Sequence, residues 1–324
     1  MGQAIIGKDI AKAKAILDQG GIVGMPTETV YGLAGNALDE QAVLKIFKAK
    51  NRPFFDPLIV HVASMERLAE LVKTIPSELE ALMLKYMPGP LTVLLPKAEV
   101  VPNLVTAGSG MVAIRIPNHP MALRLLEALD YPLAAPSANP FGYISPTRPS
   151  HVAAQLGDVV PYILDGGICK VGVESTIVGM QDGALVLYRY GGLAEEAIAK
   201  EMPGIAIVSA KKAKQVLPGG LESHYAPKKA FVVHTDEAAF AAAMNNDLEN
   251  AYLCFGPRNY DAMVAKHVLN LSGKGDVDEA ALHLFDGMRQ LDALEEVRTI
   301  HAIYVPDEGL GKAVNDRLRR AALK

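Results

Sequence analysis

The chain has 324 residues, 50% of them hydrophobic and 21% charged, enough for a large domain plus a smaller one and more than one core normally holds. Its 32 basic and 36 acidic residues leave a net charge of -4, so no global basic surface points to nucleic acid or membrane and any anion site must be local. Cys169 and Cys254 have no C-x-x-C or histidine-rich companion; they read as buried thiols in a reducing compartment, and no zinc site is expected.

In chain order, residues 11–19 predict a helix stopped by Gly20 and Gly21, and 22–25 a buried strand. Residues 40–49 carry Val43, Leu44, Ile46 and Phe47 in helical phase, with Lys45 and Lys48 outside. Strands are predicted at 58–62, 91–95, 112–116, 133–135, 162–164, 175–178 and 185–188, and helices at 65–71, 77–87, 120–129, 150–156 and 194–202. This alternation is that of an α/β fold, although pattern alone leaves open whether the sheet is parallel or mixed. Residues 204–229, with Pro218-Gly219-Gly220, Pro227 and five lysines, read as an interdomain connection. Beyond it, 231–234, 237–245, 251–255, 268–271, 278–293, 299–305 and 310–323 spell β-α-β-β-α-β-α, the order of a small doubly wound domain. That domain lacks a G-x-G-x-x-G fingerprint, so no nucleotide is assigned to it. The expected division is therefore a domain at 1–203, a linker or lid at 204–229 and a second domain at 230–324. No charged-then-apolar leader opens the sequence and no apolar run approaches the ~18 residues of a membrane span, so a cytoplasmic protein is expected.

Polar residues recur two apart beside prolines in segments otherwise patterned like core: Thr27 and Thr29 after Pro26, Lys50 and Arg52 before Pro53, Ser137 and Asn139 between Pro136 and Pro140. An extended backbone puts such pairs on one face, and Pro53 disfavours helix at Arg52. Three same-side pairs predict the lining of a small-molecule site, with Lys50 and Arg52 on a partly solvated wall. These two cations either cap a helix C-terminus in solvent or converge with Arg189 on a triphosphate. Arg115, inside the apolar run 112–117, requires an anion, either an internal carboxylate or that of a substrate. His61 ends an apolar strand, where a lone histidine is ordinarily a satisfied core residue.

Seven segments resemble, in order, the motifs of the YrdC/Sua5 family of threonylcarbamoyl-AMP synthases: Pro26-Thr-Glu-Thr-Val-Tyr-Gly-Leu33, Lys50-x-Arg52-Pro53, Pro57-Leu-Ile-Val-His61, Pro88-Gly-Pro-Leu-Thr92, Ala113-Ile-Arg-Ile-Pro117, Ala135-Pro-Ser-Ala-Asn139 and Glu174-Ser-Thr-Ile-Val178. The resemblance implies a twisted mixed sheet with helices, followed by the Rossmann-like C-terminal domain of the longer, Sua5-type members. It implies L-threonylcarbamoyladenylate synthesis from L-threonine, bicarbonate or CO2 and ATP, with Mg2+, feeding threonylcarbamoyladenosine formation in tRNA through a downstream transfer machinery. By the same resemblance Thr29, His61, Arg115, Ala135 and Ser175 hold threonine. Arg52, Asp56, Met111, Ser137, Asn139, Ser145, Arg189 and Tyr225 hold ATP, and Lys50 and Arg52 are catalytic.

Asp56 departs from the family, where asparagine is common; an aspartate repels a polyphosphate unless Mg2+ bridges them. Tyr225 either covers the nucleotide as part of a lid or packs the connection onto a domain. Glu28 and Glu174 either reach Mg2+ or make structural hydrogen bonds. Two other readings stay open: an RNA-binding module with a concave basic face, and an enzyme acting on a different carbamoyl-adenylate. Threonine-dependent turnover separates all three.

Overall fold

The protein is described by a computed structural model at residues 4–209, 224–246, 249–258 and 264–323. It divides into two units, one of Met1–Phe141, Pro146–Lys170 and Glu174–Gly220, the other of Gly142–Ser145, Val171–Val173 and Leu221–Lys324, counted over their described residues. Of the expected connection at 204–229, residues 210–223 lie outside the described residues.

The first unit runs β1 (Ile5–Gly7), α1 (Ile10–Asp18), β2 (Val23–Met25), β3 (Gly32–Asn36), α2 (Glu40–Lys50), β4 (Ile59–His61), α3 (Met65–Ala69), α4 (Ser77–Tyr86), β5 (Leu91–Pro96) and β6 (Met111–Arg115). It continues with α5 (Pro120–Glu127), β7 (Leu133–Ala134), α6 (Pro149–Leu156), β8 (Tyr162–Leu164), β9 (Thr176–Gln181), β10 (Ala184–Arg189), α7 (Glu195–Glu201) and β11 (Ile207–Ser209). The strands form one mixed sheet in the order β1-β8-β2-β3-β7-β4-β6-β5-β9-β10-β11. Its centre sets β4 parallel to β6, with His61 opposite Arg115, and β5 antiparallel to β6 and parallel to β9. This register brings polar residues from distant segments to neighbouring strand ends.

Helices cover both faces because their apolar residues recur in helical phase. Val43, Ile46 and Phe47 of α2 join Leu33, Val60 and Ile114 in the larger core. Ala13 and Leu17 of α1 and Ala122, Leu125 and Leu126 of α5 form a second cluster over β2 and β8. The Asp9 side chain caps α1 by accepting from the Lys12 amide, and Gly20, at φ 67°, ends it, as the glycine pair predicts.

Strands β1, β3 and β11 carry no signal in the sequence reading. Gly32-Leu-Ala-Gly-Asn36 has no β-branched residue, yet β3 needs its glycines: a Cβ on Gly35 would meet Ile46 of α2 at 3.2 Å. Strand β11 turns the start of the expected connection into sheet, parallel to β10.

The second unit contains β12 (Ala230–His234), α8 (Glu237–Asn246), β13 (Ala251–Cys254), β14 (His267–Asn270), α9 (Val277–Asp292), β15 (Thr299–Ile303) and α10 (Gly311–Ala321). Its four strands are all parallel, in the order β12-β15-β13-β14. Phe240 and Met244 of α8 pack on Tyr252, Cys254 and Ile303, whereas Gly287 of α9 lies against Leu253 and Leu269, so the two helices cover opposite faces. The first strand lies at an edge beside the last, whereas the complete doubly wound orders 3-2-1-4-5-6 and 2-1-3-4-5 both place the first strand inside the sheet. Both cysteines are buried and unpaired. No helix among the described residues is long and apolar enough to cross a membrane.

Candidate functional site

In the first unit, helix α2 delivers Lys50 from its last turn. Asn51 then takes a left-handed conformation at φ 52° and ends the helix, and the Arg52 amide turns back to the Phe47 carbonyl at 3.0 Å. Lys50 and Arg52 are thus joined by a helix cap, not by the extended backbone that their spacing and Pro53 suggested. Nor is the wall partly solvated: Lys50 is 1% exposed and Arg52 8%.

The Lys50 Nζ donates to the backbone carbonyls of Ser137 and Asn139, both at 2.5 Å. The pair held between Pro136 and Pro140 therefore meets the lysine through its main chain. Burial, with Arg52 beside it, holds the Lys50 ammonium well below its usual range. Arg52 donates to the Asp56 and Pro57 carbonyls at 3.0 and 2.8 Å and pairs with the Asp56 carboxylate at 2.9 Å. Its guanidinium also lies 5.9 Å from the Phe141 ring centre. Asp56 is only 1% exposed and faces this cation, so its charge is balanced within the protein.

A second constellation centres on Arg115 at the end of β6. The guanidinium donates from Nε to the Gly89 carbonyl at 3.1 Å and from Nη1 to Thr29 Oγ1 at 2.8 Å, and Nη2 lies 2.6 Å from Glu28 Oε1. Arg115 therefore has an internal carboxylate close by, but Nη2 makes no hydrogen bond to it, so one N–H on Nη1 and both on Nη2 remain uncommitted in this set. Thr27 Oγ1 donates to the Val30 carbonyl at 2.6 Å, so across the 2.8 Å contact of the two threonine hydroxyls Thr29 is the donor. Donation runs one way, from Arg115 through Thr29 and Thr27 to the backbone. Glu28 Oε2 is buried and has no hydrogen-bond donor among the described residues.

His61 faces this cluster. Its Nδ1 lies 3.2 Å from the Ile59 carbonyl, which can only accept, so Nδ1 carries the proton and Nε2 is left as an acceptor. Burial, and then the charge of Arg115, lowers its pKa to about 3, which keeps the ring neutral. Further along the sheet, Arg189 Nε donates to the Ser175 carbonyl at 3.0 Å and its Nη2 to Ser175 Oγ at 3.1 Å, while Thr92 Oγ1 lies 2.7 Å from the same hydroxyl. Ala135 spends its amide on the Ile59 carbonyl at 3.0 Å. Met111 packs with Ile59, Leu94, Ala113, Ile177 and Tyr188, an apolar patch on the central strands.

Two of the expected nucleotide residues belong to the second unit. Ser145 is fully buried, and its carbonyl accepts from Arg289 Nε at 3.2 Å. Tyr225, at φ 65°, packs 5.5 Å from the Phe285 ring with the Arg317 guanidinium 5.3 Å from its centre. Within that unit it packs against helices α9 and α10.

Sequence reasoning assigned no partner to Thr92, although a hydroxyl in the apolar run 91–95 was a visible anomaly. The Gly89 carbonyl offered no signal, because a main-chain acceptor is invisible in a sequence.

The family model described as "Telomere recombination", that of Sua5, YciO and YrdC, matches residues 15–191, and the one described as "Threonylcarbamoyl-AMP synthase, C-terminal domain" matches residues 193–323. A threonylcarbamoyl-AMP synthase of Pyrococcus abyssi is 41% identical over 96% of this chain and 93% of its own, and one of Bacillus subtilis is 36% identical over 97% and 92%. The crystal structure of P. abyssi Sua5 complexed with L-threonine is 40% identical and superposes with a TM-score of 0.89, covering 98% of both chains. The chain belongs to the Sua5/YciO/YrdC family and carries the C-terminal domain of its threonylcarbamoyl-AMP synthases.

Proposed function

We propose that the protein is an L-threonylcarbamoyladenylate synthase, joining L-threonine, bicarbonate or CO2 and ATP with release of pyrophosphate, and that its product serves threonylcarbamoyladenosine formation in tRNA. What carries the reading is the buried Arg115, Glu28 and Thr29 constellation beside a neutral His61, in a chain 40% identical to a Sua5 whose structure holds L-threonine.

The threonine carboxylate meets uncommitted N–H groups on Nη1 and Nη2 of Arg115, whose position Glu28, Thr29 and the Gly89 carbonyl fix in advance. The neutral His61 Nε2 accepts from the substrate, and Ser175 and the Ala135 backbone close the subsite. The threonine amine adds to CO2, giving a carbamate and a proton. One carbamate oxygen then attacks the α-phosphorus of ATP, and the bond from that phosphorus to the β-bridging oxygen breaks, releasing pyrophosphate.

Catalysis here needs no nucleophilic side chain; positioning and fixed cations suffice. Arg52 and Arg189 face the phosphates, with Ser137 and Asn139 about the nucleotide and Met111 as its apolar contact. Lys50 acts by tying the chain at Ser137 and Asn139 to helix α2. Asp56, already matched to Arg52, adds no net repulsion and holds the guanidinium in place.

Mg2+ enters as the counter-ion of ATP. Glu28 and Asp56 each face a guanidinium, so these two side chains do not fit a protein-held Mg2+. The domain reading is a synthase domain at 1–203, a linker or lid at 204–229 whose strand β11 joins the first sheet, and a second domain at 230–324.

The test is pyrophosphate release by the purified chain with Mg-ATP and bicarbonate, comparing L-threonine, L-serine and no amino acid. Threonine-dependent release with a matching labelled adenylate is expected. Release indifferent to the amino acid, or none at all, overturns the reading.

A further inference from the structure

The second unit contains a crevice of about 720 Å³, set at the carboxyl ends of its parallel strands. It is walled by Thr235 and Glu237 after β12, Phe255 and Arg258 after β13, Tyr304 after β15 and Phe240 of α8. Its size lies within the range typical of small-molecule sites.

The topology accounts for it. The chain leaves β12 towards α8 on one face of the sheet, and leaves the adjacent β15 towards α10, which packs with α9 on the other; Phe285 of α9 and Arg317 of α10 meet on the same Tyr225 ring. Two neighbouring parallel strands whose chains depart to opposite faces must separate at their carboxyl ends. In open α/β sheets that gap is where ligands bind.

The lining selects the ligand. Among the described residues that line the crevice Arg258 is the cation, and it pairs with Glu237 at 2.5 Å, both side chains reaching solvent. For an anion alone, Glu237 offsets part of the attraction of Arg258. A molecule with an anionic group and neighbouring hydroxyls satisfies both, the guanidinium taking the anion and the carboxylate a hydroxyl. The half-buried rings of Phe255 and Tyr304, over the buried Phe240, suit a planar base. The N-terminus of α8 does not compete for the anion, because Asp236 already accepts from the Ala239 amide at 2.7 Å.

We propose that this crevice is a binding site for a nucleoside monophosphate, separate from and independent of the synthase reading of the first unit.

The chain has no tryptophan, so Phe255→Trp places a single tryptophan reporter in the crevice. In the full-length chain, AMP is expected to change its emission saturably with half-saturation below ~1 mM. Adding Arg258→Ala should raise that concentration at least tenfold, and adenosine and inorganic phosphate should each bind more weakly than AMP. With Phe255 left in place, AMP should also slow amide exchange in segments 251–258 and 300–306, and Arg258→Ala should abolish that protection. The proposal fails if AMP leaves both readouts unchanged up to ~1 mM, or if the response survives Arg258→Ala.

Discussion

Replacing Glu28 by alanine should cost the first unit about 3 kcal/mol. Glu28 and Arg115 are 6% and 4% exposed, with a carboxylate oxygen 2.6 Å from Nη2, so removing the acid leaves a guanidinium buried without its counter-charge. Breaking such a pair from one side costs about 3–5 kcal/mol. The lower end applies because Arg115 keeps the Gly89 carbonyl and Thr29 Oγ1 as acceptors. Global denaturation of a chain with two units mixes their transitions, so the measurement should be local. Hydrogen exchange suits it: the Val62 amide, bonded to the Arg115 carbonyl at 3.0 Å, reports on β4 and β6. A loss of about 3 kcal/mol accelerates exchange there by about two orders of magnitude. Because the deficit arises from an unpaired charge, the double variant Glu28→Leu with Arg115→Met should recover most of it. Exchange within about threefold of the parent in Glu28→Ala, or no recovery in the double variant, would falsify the assignment of Glu28 as the counter-charge of Arg115.

Lys50→Met should lower both stability and turnover. It orphans the Ser137 and Asn139 carbonyls at about 1–3 kcal/mol each, offset by removal of a buried charge, for a net loss of about 2 kcal/mol and faster exchange in 137–141. Unchanged exchange together with full pyrophosphate release would show that the lysine ties nothing down. His61 gives an acid-side prediction. With its folded pKa depressed to about 3 against 6.5, the unfolded chain binds a proton between those values that the folded one refuses, so stability falls as pH drops through that window, by up to about 1.4 kcal/mol per unit. His61→Asn should flatten the slope of first-unit stability between pH 6.5 and 4; a slope identical to the parent's would place the acid sensitivity on another group.

Element order and most of the polar cast were legible in the sequence because they depend on short-range regularities. Helical phase in 40–49, the glycine stop at 20 and 21 and the apolar runs of the central strands act within a few residues. The same holds for the β-α-β-β-α-β-α order of the second unit. Arg115 in an apolar strand announced that a buried anion must exist, since an unpaired guanidinium in the core is too costly. It could not announce which anion. Glu28 is 87 residues away in sequence, and only the folding of the chain after β2 back onto the end of β6 sets it at Nη2.

Other features belong to the tertiary structure for the same reason. Strand β3 has a sequence that favours no strand and exists because α2 and β7 pack against its glycines. The i, i+2 spacing of Lys50 and Arg52 suggested an extended wall, but Asn51 can adopt a left-handed conformation, and that one dihedral ends the helix and turns both cations inward. Lys50 then becomes a buried tie between main-chain carbonyls, acceptors that every residue carries and no sequence distinguishes. In the second unit the sequence determined parallel strands and helices on both faces, whereas the strand order, and with it the crevice between β12 and β15, depended on how the crossovers paired in space. Local chemistry was written along the chain; partners were decided by non-local strand pairing, which only the folded sheet specifies.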